Sequence, residues 1–562
     1  MMEIVFSYPS ERCPHCSSRL KAYRLDRRKV KCLEGEFIAL HRIMICPVER
    51  IKFRSERLDL IIPPKCTYSN DVMVAGAIMR FVEGRSSSEI SSLMGVSEGH
   101  ARKLTNQALE IFSEIHEDNV PELRSNMKSY ILQIDGTTDS EFSMVVAVRD
   151  SVSGFVLYVK RCDSESEESI IDVLDTVKSR FGTPSGITCD MRSGIISAAQ
   201  SVFPHTPIRI CLMHFLRDLG KDLMKDMHTD LGILINRMGI KSPLRKLLLN
   251  MPDYDQCTLY DVELGFCSNR EKMEIMAVRR ILENILSVRS SGYGFPFSLT
   301  HLNFFISCED GMRKLTELSN RYECHESVKT AETVMKIVSR ITDNKDIRDR
   351  AVKLKDINSF IFQRIRKAFM IPDHGNLSRD RYDPLSDDST VHENCTVVFG
   401  ELEIYLKTDI ENHLFRAAKL ALERYRNRET MLFAQNMEGT IPRTNNNMEI
   451  FFRSIRRNIR KRSGNRSTGN ILAQTGENLA LFQNIHNEKY REIVFGKDDT
   501  GSVFSRYRKP FRMDGLTRKA TMELVDKGTE MILDNSLGDQ PYTEETLNKS
   551  YELYKNKRNN GQ

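Results

Sequence analysis

The feature that most constrains the fold is a change of hydrophobic period between residues 130 and 211. Five apolar runs in this region have strand character, over 131–136, 142–148, 154–160, 186–190 and 208–211. Two segments between them, 165–180 and 194–203, place apolar residues on one face at helical spacing. Three strands, a helix, a strand, a helix and a strand predict a mixed five-stranded α/β sheet with helices on its faces.

Acidic residues stand at the carboxyl ends of two of these runs. Asp135 ends the first run, and Asp190 ends the fourth. In an open α/β sheet, binding and catalytic sites gather at the carboxyl edge. For either acid alone, a strand cap or a salt bridge is the simpler interpretation. Asp139 lies past Gly136, outside the predicted strand, and we expect it to be a surface residue.

A third acid, Glu449, lies far downstream in a predicted helix that begins within the asparagine run 445–447. The buried stripe of this helix is predicted to be Met448, Phe452, Ile455 and Ile459. The neighbouring face carries Glu449, Arg453, Arg456 and Arg460, which recur at helical spacing. The helix therefore combines one acid with a row of cations.

Three carboxylates that converge from two strands and a helix can hold two Mg²⁺ ions about 3.5–4 Å apart, the arrangement used for in-line displacement at phosphorus. Carboxylates suit Mg²⁺, or Mn²⁺, because these ions prefer oxygen ligands. Residues 451–470 contain seven Arg or Lys, Arg457 among them, and no Asp or Glu. Next to a metal site, such a run favours binding to a polyanion over a solvated helix face.

Residues 1–66 predict a small zinc-ribbon-like β module. Short alternating apolar runs lie between the motifs CPHC at 13–16 and CPVE at 46–49. A zinc ribbon places two such knuckles around tetrahedral ligands, so we expect one Zn²⁺ held by Cys13, Cys16 and Cys46. The fourth ligand stays open among Glu49, Cys32, His41 and Cys66. The alternative is a ribbon that keeps its fold without metal.

Residues 67–120 predict a helix-turn-helix DNA-binding domain. A short helix over 87–94 is followed by Gly95 as the turn and Ser97 as the cap of a second helix, which runs to about residue 116. The second helix of this motif enters the major groove of DNA. Here it carries Arg102 and Lys103 as candidate DNA contacts. Helical hairpins with glycine turns also occur for packing reasons alone.

Composition excludes some classes of protein. No stretch approaches the roughly 18 apolar residues of a membrane span, and Glu3 stands where a signal peptide needs positive charge. The 13 cysteines, mostly scattered singly, favour reduced thiols. The net charge of +6 is too small to indicate a nucleic-acid partner by itself. We expect a cytoplasmic, nucleoid-associated protein.

The sheet order resembles an RNase H-like core, and the motifs resemble one family that uses it. The matching residues are Ile-Asp135-Gly-Thr, Cys189-Asp190 before a helix, and Thr-Asn-Asn-Asn-Met-Glu449 with its basic helix. Together they are similar to the DDE transposases of bacterial and archaeal insertion sequences, in particular those grouped with Mutator-like elements. Cys211 and His214, after the last core strand, resemble the Cys-x2-His motif of that superfamily. The resemblance covers roughly residues 10–490.

The resemblance implies that Asp135 bridges two Mg²⁺ ions while Asp190 and Glu449 each hold one. It also implies partners: double-stranded DNA, as the terminal inverted repeats of the element and as target, and a second copy of the chain in a homodimer or larger assembly. Cys211 and His214 would form an accessory site, in which His214 contacts DNA or a metal-bound group. Plain core positions are the alternative for these two residues.

The predicted domain order follows from these motifs. The ribbon (1–66) and the helix-turn-helix (67–120) come first. The first part of the RNase H-like core follows at 125–215, an all-α insertion at 216–440, and the second part of the core at 441–495. A charged tail, partly helical or disordered, occupies 496–562. The predicted function is Mg²⁺-dependent DNA cleavage and strand transfer by a transposase. Two alternatives remain: a catalytically inactive, transposase-derived DNA-binding protein, and a structure-specific nuclease on the same core.

Overall fold

The computed structural model describes residues 2–63, 66–127, 129–138, 144–162, 166–288, 294–371, 388–408, 412–435, 441–463, 477–508 and 518–534. These residues form two compact units. The first comprises the described parts of 1–77, 91–111 and 497–562, and the second those of 78–90 and 112–496. Asp139 lies outside the described residues.

The first unit contains a four-stranded sheet with strands β1 (Met2–Ser7), β2 (Lys21–Cys32), β3 (Gly35–Ile45) and β4 (Lys52–Phe53). Strand β3 is central: it pairs antiparallel with β2 and β4 and parallel with β1. Val30 and Ala39 of the hairpin pack on Leu58 and Ile62 in and beside helix α1 (Glu56–Ile61). This apolar cluster fixes the sheet against the helix.

Helices α2 (Asn70–Ala77) and α22 (Thr500–Tyr507) also belong to the first unit. Buried Arg508, which follows α22, donates hydrogen bonds to Tyr68 O at 2.9 Å and to Asn70 Oδ1 at 3.0 Å. Part of the sequence predicted as a charged tail is therefore packed as ordered helix. Helix α23 (Arg518–Leu533) follows it.

The predicted helix-turn-helix is present as secondary structure. Helix α3 (Ser87–Met94) is followed by Gly95, whose φ of +60° is the left-handed conformation that favours glycine, and then by helix α4 (Glu98–Asp118). The His100 N–H donates to Ser97 Oγ at 3.3 Å, as an N-cap requires. Both helices thus lie where the sequence predicts them.

The second unit is built on the mixed five-stranded sheet that the sequence predicts. Its strands are β5 (Ile131–Thr138), β6 (Met144–Asp150), β7 (Val156–Cys162), β8 (Gly186–Cys189) and β9 (Ile208–Ile210), in the order β7-β6-β5-β8-β9. The first three are antiparallel, whereas β5, β8 and β9 are parallel. Helix α6 (Glu167–Phe181) connects β7 to β8, α7 (Ser193–Val202) connects β8 to β9, and α5 (Val120–Asn126) precedes the sheet.

The predicted all-α insertion is also observed. Its helices are α8 (Leu212–Arg237), α9 (Lys241–Asn250), α10 (Gln256–Glu263), α11 (Arg270–Leu286), α12 (Thr300–Ser319), α13 (His325–Thr342), α14 (Lys345–Asp356), α15 (Gln363–Ala368), α16 (Asp388–Tyr405), α17 (His413–Arg426) and α18 (Glu429–Leu432), with a π-helix at Ile357–Phe362. None of the described helices is both long and apolar enough to cross a membrane.

Three helices close the second unit: α19 (Asn446–Ser463), α20 (477–482) and α21 (Glu488–Val494). As predicted, Met448, Phe452, Ile455 and Ile459 of α19 are buried. Asn484, after α20, exchanges two hydrogen bonds with the backbone of Val156, at 2.8 and 3.0 Å. The amide side chain thereby continues the hydrogen bonding of strand β7.

Candidate functional site

The three predicted acids line one pocket of about 630 Å³ in the second unit. Asp135 comes from β5, Asp190 follows β8, and Glu449 lies in the first turn of α19. The rest of the lining is strongly cationic and comprises Arg192, His214, Arg217, Arg453, Arg456, Arg457 and Arg460, with Gly136, Thr137 and Phe452. Acids and arginines are thus gathered around one opening.

The register of the parallel strands brings Asp135 and Asp190 side by side. Gln133 of β5 pairs with Thr188 of β8, so two residues further along each strand the acids stand at equivalent positions. The prediction that Asp135 ends its strand is wrong, because β5 continues to Thr138 and Asp135 pairs with Ala147 of β6. The antiparallel partner β6 extends past the end of β8 and keeps β5 in a ladder there.

Glu449 is brought to this edge by residues 441–445, a segment without regular secondary structure that contacts the parallel strands. Thr188 Oγ1 donates to Pro442 O at 3.1 Å, and Gln133 Nε2 lies 3.4 Å from Thr444 O. The Leu212 N–H donates to Arg443 O at 2.9 Å. Side chains and backbone from β5, β8 and the start of α8 therefore fix the approach to α19.

Cys211 and His214 take separate positions. Cys211 is buried as the N-cap residue of α8, and its sulfur accepts the Asn445 N–H at 3.3 Å. His214 lines the pocket, and its Nε2 lies 3.7 Å from Glu449 Oε1. His214 Nδ1 is buried with no hydrogen-bond partner among the described residues. Cys211 thus contacts the chain that leads to Glu449, whereas His214 faces the acid itself.

Two further arginines of the pocket escaped the sequence analysis. Arg217 lies 3.6 Å from Glu449 Oε1, one helical turn after His214 on α8. Arg192 Nε lies 3.1 Å from Asp190 Oδ2, and the Arg192 N–H donates to the same carboxylate. Helical spacing from His214 was an available signal for Arg217. The contact of Arg192 follows from the turn between β8 and α7.

The two aspartates of the pocket have raised pKa values. Burial, reinforced by the charges of Asp190 and Glu449, raises the pKa of Asp135 to about 7. Burial likewise raises the pKa of Asp190 to about 6. Both shifts express the free energy needed to ionise carboxylates in a dry, crowded site. A divalent cation among these oxygens would offset that free energy and keep them ionised.

The three acids surround the pocket without forming a tight cluster. Among the described residues, only the cysteine group below has all its ligand atoms within 4.8 Å of one another. A two-metal site places its ions about 3.5–4 Å apart, so its outer ligands can be further apart than those of a single ion. The donor set of three carboxylates fits hard cations such as Mg²⁺.

The exposed side of α19 forms the basic wall of the pocket. Arg453, Arg457 and Arg460 are exposed, and Arg456 is half-buried. The Arg456 guanidinium donates to the hydroxyl of Thr137, two residues after Asp135 in β5. The basic face of α19 is thereby oriented toward the same opening as the acids.

A second candidate site lies in the first unit, where Cys13, Cys16, Cys46 and Glu49 converge with all ligand atoms within 4.8 Å. The Cys16 and Cys46 sulfurs are 3.4 Å apart, and Cys13 Sγ is 3.6 Å from Glu49 Oε2. Tetrahedral zinc with Zn–S bonds of about 2.3 Å holds sulfurs roughly 3.8 Å apart. Three thiols and a carboxylate at these distances could hold a metal ion.

The other candidates for the fourth ligand lie elsewhere. His41 Nε2 accepts the Ser55 N–H at 3.2 Å, and Cys32 Sγ donates to Gly35 O at 3.1 Å. Cys66 packs in the separate apolar cluster with Val30. Of the four candidates for the fourth ligand, Glu49 is therefore the one that lies with Cys13, Cys16 and Cys46.

Arg102 and Lys103 are exposed on α4, as a role in DNA contact requires. The Arg102 guanidinium lies 3.3 Å from Glu98 one turn earlier, an exposed pair that costs little to break.

Comparisons with known proteins add only a distant likeness. No protein-family model and no curated protein matches this chain. Among solved structures, the chain is similar to the Drosophila P element transposase strand transfer complex with a TM-score of 0.30 and 11% identity. The match covers 76% of this chain and 94% of that chain. A likeness this remote carries no conclusion about fold or activity.

Proposed function

We propose that this protein is a DDE-type DNA transposase that binds the ends of a mobile element, cleaves the DNA and joins the freed 3′-hydroxyl to a target. The observation that carries the proposal is the single pocket shared by Asp135, Asp190, Glu449 and the arginines of α19. Acids that can hold divalent cations, next to a basic helix, suit a substrate that is itself a polyphosphate.

In this proposal Asp135, Asp190 and Glu449 would together hold two Mg²⁺ ions. Bound Mg²⁺ would stabilise the negative charge that develops on phosphate oxygens during in-line displacement. The neighbouring contacts of the chain suit this role. Arg192 and Arg217 lie 3.1 and 3.6 Å from the carboxylates of Asp190 and Glu449 and hold these side chains at the pocket.

The arginines of α19 bind the DNA backbone in this proposal. Guanidinium groups pair with phosphate oxygens in a planar, bidentate manner, which orients the strand without reading its sequence. His214 is half-buried, and partial burial, together with the charge of Arg217, lowers its pKa. A neutral imidazole can accept or donate one hydrogen bond through Nε2, the ring nitrogen that lies 3.7 Å from Glu449.

We infer that the amino-terminal region supplies sequence recognition. Helix α4 would enter the major groove at the element ends with Arg102 and Lys103, and one Zn²⁺ on Cys13, Cys16, Cys46 and Glu49 would brace the two loops of the ribbon. We propose the same order of domains as in the sequence analysis. Because transposition joins two element ends, the protein would assemble on DNA as a homodimer or larger complex.

The test is to incubate the full chain with its flanking DNA ends and Mg²⁺ and to map the new 3′ ends. Nicks at the element boundary followed by joining to a second duplex are expected. Cleavage without joining would identify the structure-specific nuclease instead. Binding with neither reaction, under conditions where the metal is bound, would identify the inactive DNA-binding alternative.

A further inference from the structure

A buried ionic group connects the helical insertion to the catalytic sheet. Asp388, the first residue of α16, accepts two hydrogen bonds from Arg209 of β9, at 2.6 and 3.1 Å. It also pairs with Arg443 Nε. The side chains of Arg209 and Asp388 are 0% and 1% exposed. We call Arg209, Asp388 and Arg443 the Asp388 cluster.

The Asp388 cluster contacts the segment that carries Glu449 into the pocket. Arg209 Nη1 donates to Ile441 O at 2.9 Å, and Arg443 is itself part of that segment. Beyond Arg443 the chain is held by Cys211 and Ile134 through Asn445, and α19 begins at the next residue. The cluster therefore fixes the first part of a path that ends, within one helical turn, at Glu449.

The cluster is chemically suited to fix a position. One carboxylate faces two guanidinium groups, and planar Arg–carboxylate pairs constrain direction as well as distance. Burial opposes ionisation of Asp388, yet the hydrogen bond and charge of Arg209, together with Arg443, hold the pKa of Asp388 below its usual value. Removal of the carboxylate would leave two largely buried guanidinium groups without their anionic partner, so the local geometry depends on Asp388.

We propose that Asp388 is a positioning residue for the reaction: from the helical insertion, it orients the segment 441–445 so that Glu449 reaches the metal-binding edge of the sheet. The inference rests on the proposed function, because it assigns Glu449 a role in holding metal. In this inference the helical insertion contributes to the catalytic centre through Asp388, which does not contact the substrate. Partners outside the ligand shell commonly change metal affinity by about 10- to 100-fold.

The test compares Asp388→Asn with Glu274→Gln in the full chain. Glu274 is a matched control: it is 5% exposed in α11, pairs with Arg270 and accepts backbone hydrogen bonds from Glu323 and Cys324, but lines no part of the pocket. Two quantities are measured, amide hydrogen exchange in peptides that cover 441–450 and the Mg²⁺ concentration that half-saturates cleavage. The affinity for duplex DNA is recorded for both variants.

We expect Asp388→Asn to accelerate exchange across 441–450 and to raise the half-saturating Mg²⁺ concentration roughly tenfold or more, with unchanged DNA affinity. Glu274→Gln should do neither. Unchanged exchange at 441–450 in folded Asp388→Asn would overturn the inference, as would equal Mg²⁺ shifts in both variants. If Asp388→Asn does not fold, Arg443→Lys is measured in its place, with a shift in the same direction expected and no shift overturning the inference.

Failure of the proposed function gives a different result. If the wild-type chain does not cleave DNA in Mg²⁺, the transposase and nuclease assignments both fail. Hydrogen exchange at 441–450, which requires neither metal nor DNA, then decides the positioning role of Asp388 by itself.

Discussion

The side-chain amide of Asn445 donates a hydrogen bond to the carbonyl oxygen of Ile134, 2.7 Å away. The bond joins two segments of the chain that are 311 positions apart in sequence. Ile134 is next to Asp135, and Asn445 lies four residues before Glu449. Asn445 Oδ1 has no hydrogen-bond partner among the described residues, so this side chain does not cap α19. An asparagine predicted as a helix cap instead ties together the two chain segments that carry the acids.

The acids give the first prediction. Asp135→Asn, Asp190→Asn and Glu449→Gln should each lower Mg²⁺-dependent cleavage by more than the roughly 10- to 100-fold typical of residues outside the ligand shell. DNA affinity should stay nearly unchanged, because other groups contact the phosphates. Asp175→Asn, at an exposed position of α6, is the control. Strand transfer at the wild-type rate by any of the three variants would remove that residue from the site.

The arginines of α19 give the second prediction. Arg453, Arg456 and Arg460 changed together to Gln should weaken binding to specific and random duplexes alike. Loss of three phosphate contacts would reduce the slope of log affinity against log salt concentration by up to about 2.7 in magnitude. The measurement is a salt titration of affinity for wild type and variant.

A matched triple variant tests whether this effect is local. Lys329, Lys336 and Arg340 are exposed on α13 and do not line the pocket, so their change to Gln removes the same charge outside it. The slope should then stay at the wild-type value. Equal flattening by both triple variants would show that only net charge matters.

The third prediction concerns α4. Arg102→Ala with Lys103→Ala should reduce affinity for the element ends more than affinity for random DNA, because a recognition helix contacts base edges. Gel-shift titrations on both DNAs measure this ratio. Arg19→Ala, at an exposed residue of the first unit, is the control. A loss of the same size on both DNAs would leave α4 without a role in recognition.

The fourth prediction is one zinc per chain at the cysteine group. Elemental analysis should give about one Zn²⁺ for wild type and for Cys32→Ser, whose sulfur lies outside the group. Cys16→Ser should lose most of the metal, and Glu49→Ala should bind it more weakly. Full zinc content in Cys16→Ser would place the ion elsewhere.

The fifth prediction is a loss of stability in acid caused by His116. Burial lowers the pKa of this residue from 6.5 to about 4, and its ring contacts Tyr490 OH at 2.7 Å and Leu157 O at 3.1 Å. The folded protein thus holds His116 neutral where the unfolded chain is protonated. This contribution is complete above pH 6.5 and is lost as pH falls toward 4.

His116→Gln keeps polar groups near Tyr490 and Leu157 but cannot titrate. Between pH 7.5 and 4.5 the wild type should lose roughly 2–3 kcal/mol more free energy of unfolding than the variant. Urea unfolding followed by circular dichroism at both pH values gives the difference, which also cancels the effect of other histidines. Equal losses in the two proteins would contradict the assignment.

Local pattern determined much of this protein. The alternation of strands and helices between 131 and 210, the glycine turn before α4 and the buried stripe of α19 all follow from hydrophobic period and capping residues. These features depend on neighbours a few positions apart, so the sequence carries them directly. The end of a strand depends more on distant residues. Strand β5 continues beyond Asp135 because β6 pairs with it as far as Thr138.

Only the tertiary structure decided how distant groups meet. Glu449 and Asp135 line the same pocket because the segment 441–445, which leads to Glu449, is held against the sheet. Gln133, Thr188 and Arg209 donate the hydrogen bonds that hold it. The approach of Glu49 to the three cysteines and of Arg217 to Glu449 likewise depends on the packing of separate elements. Such contacts arise where buried polar groups must find partners across the core, a requirement that no local pattern expresses.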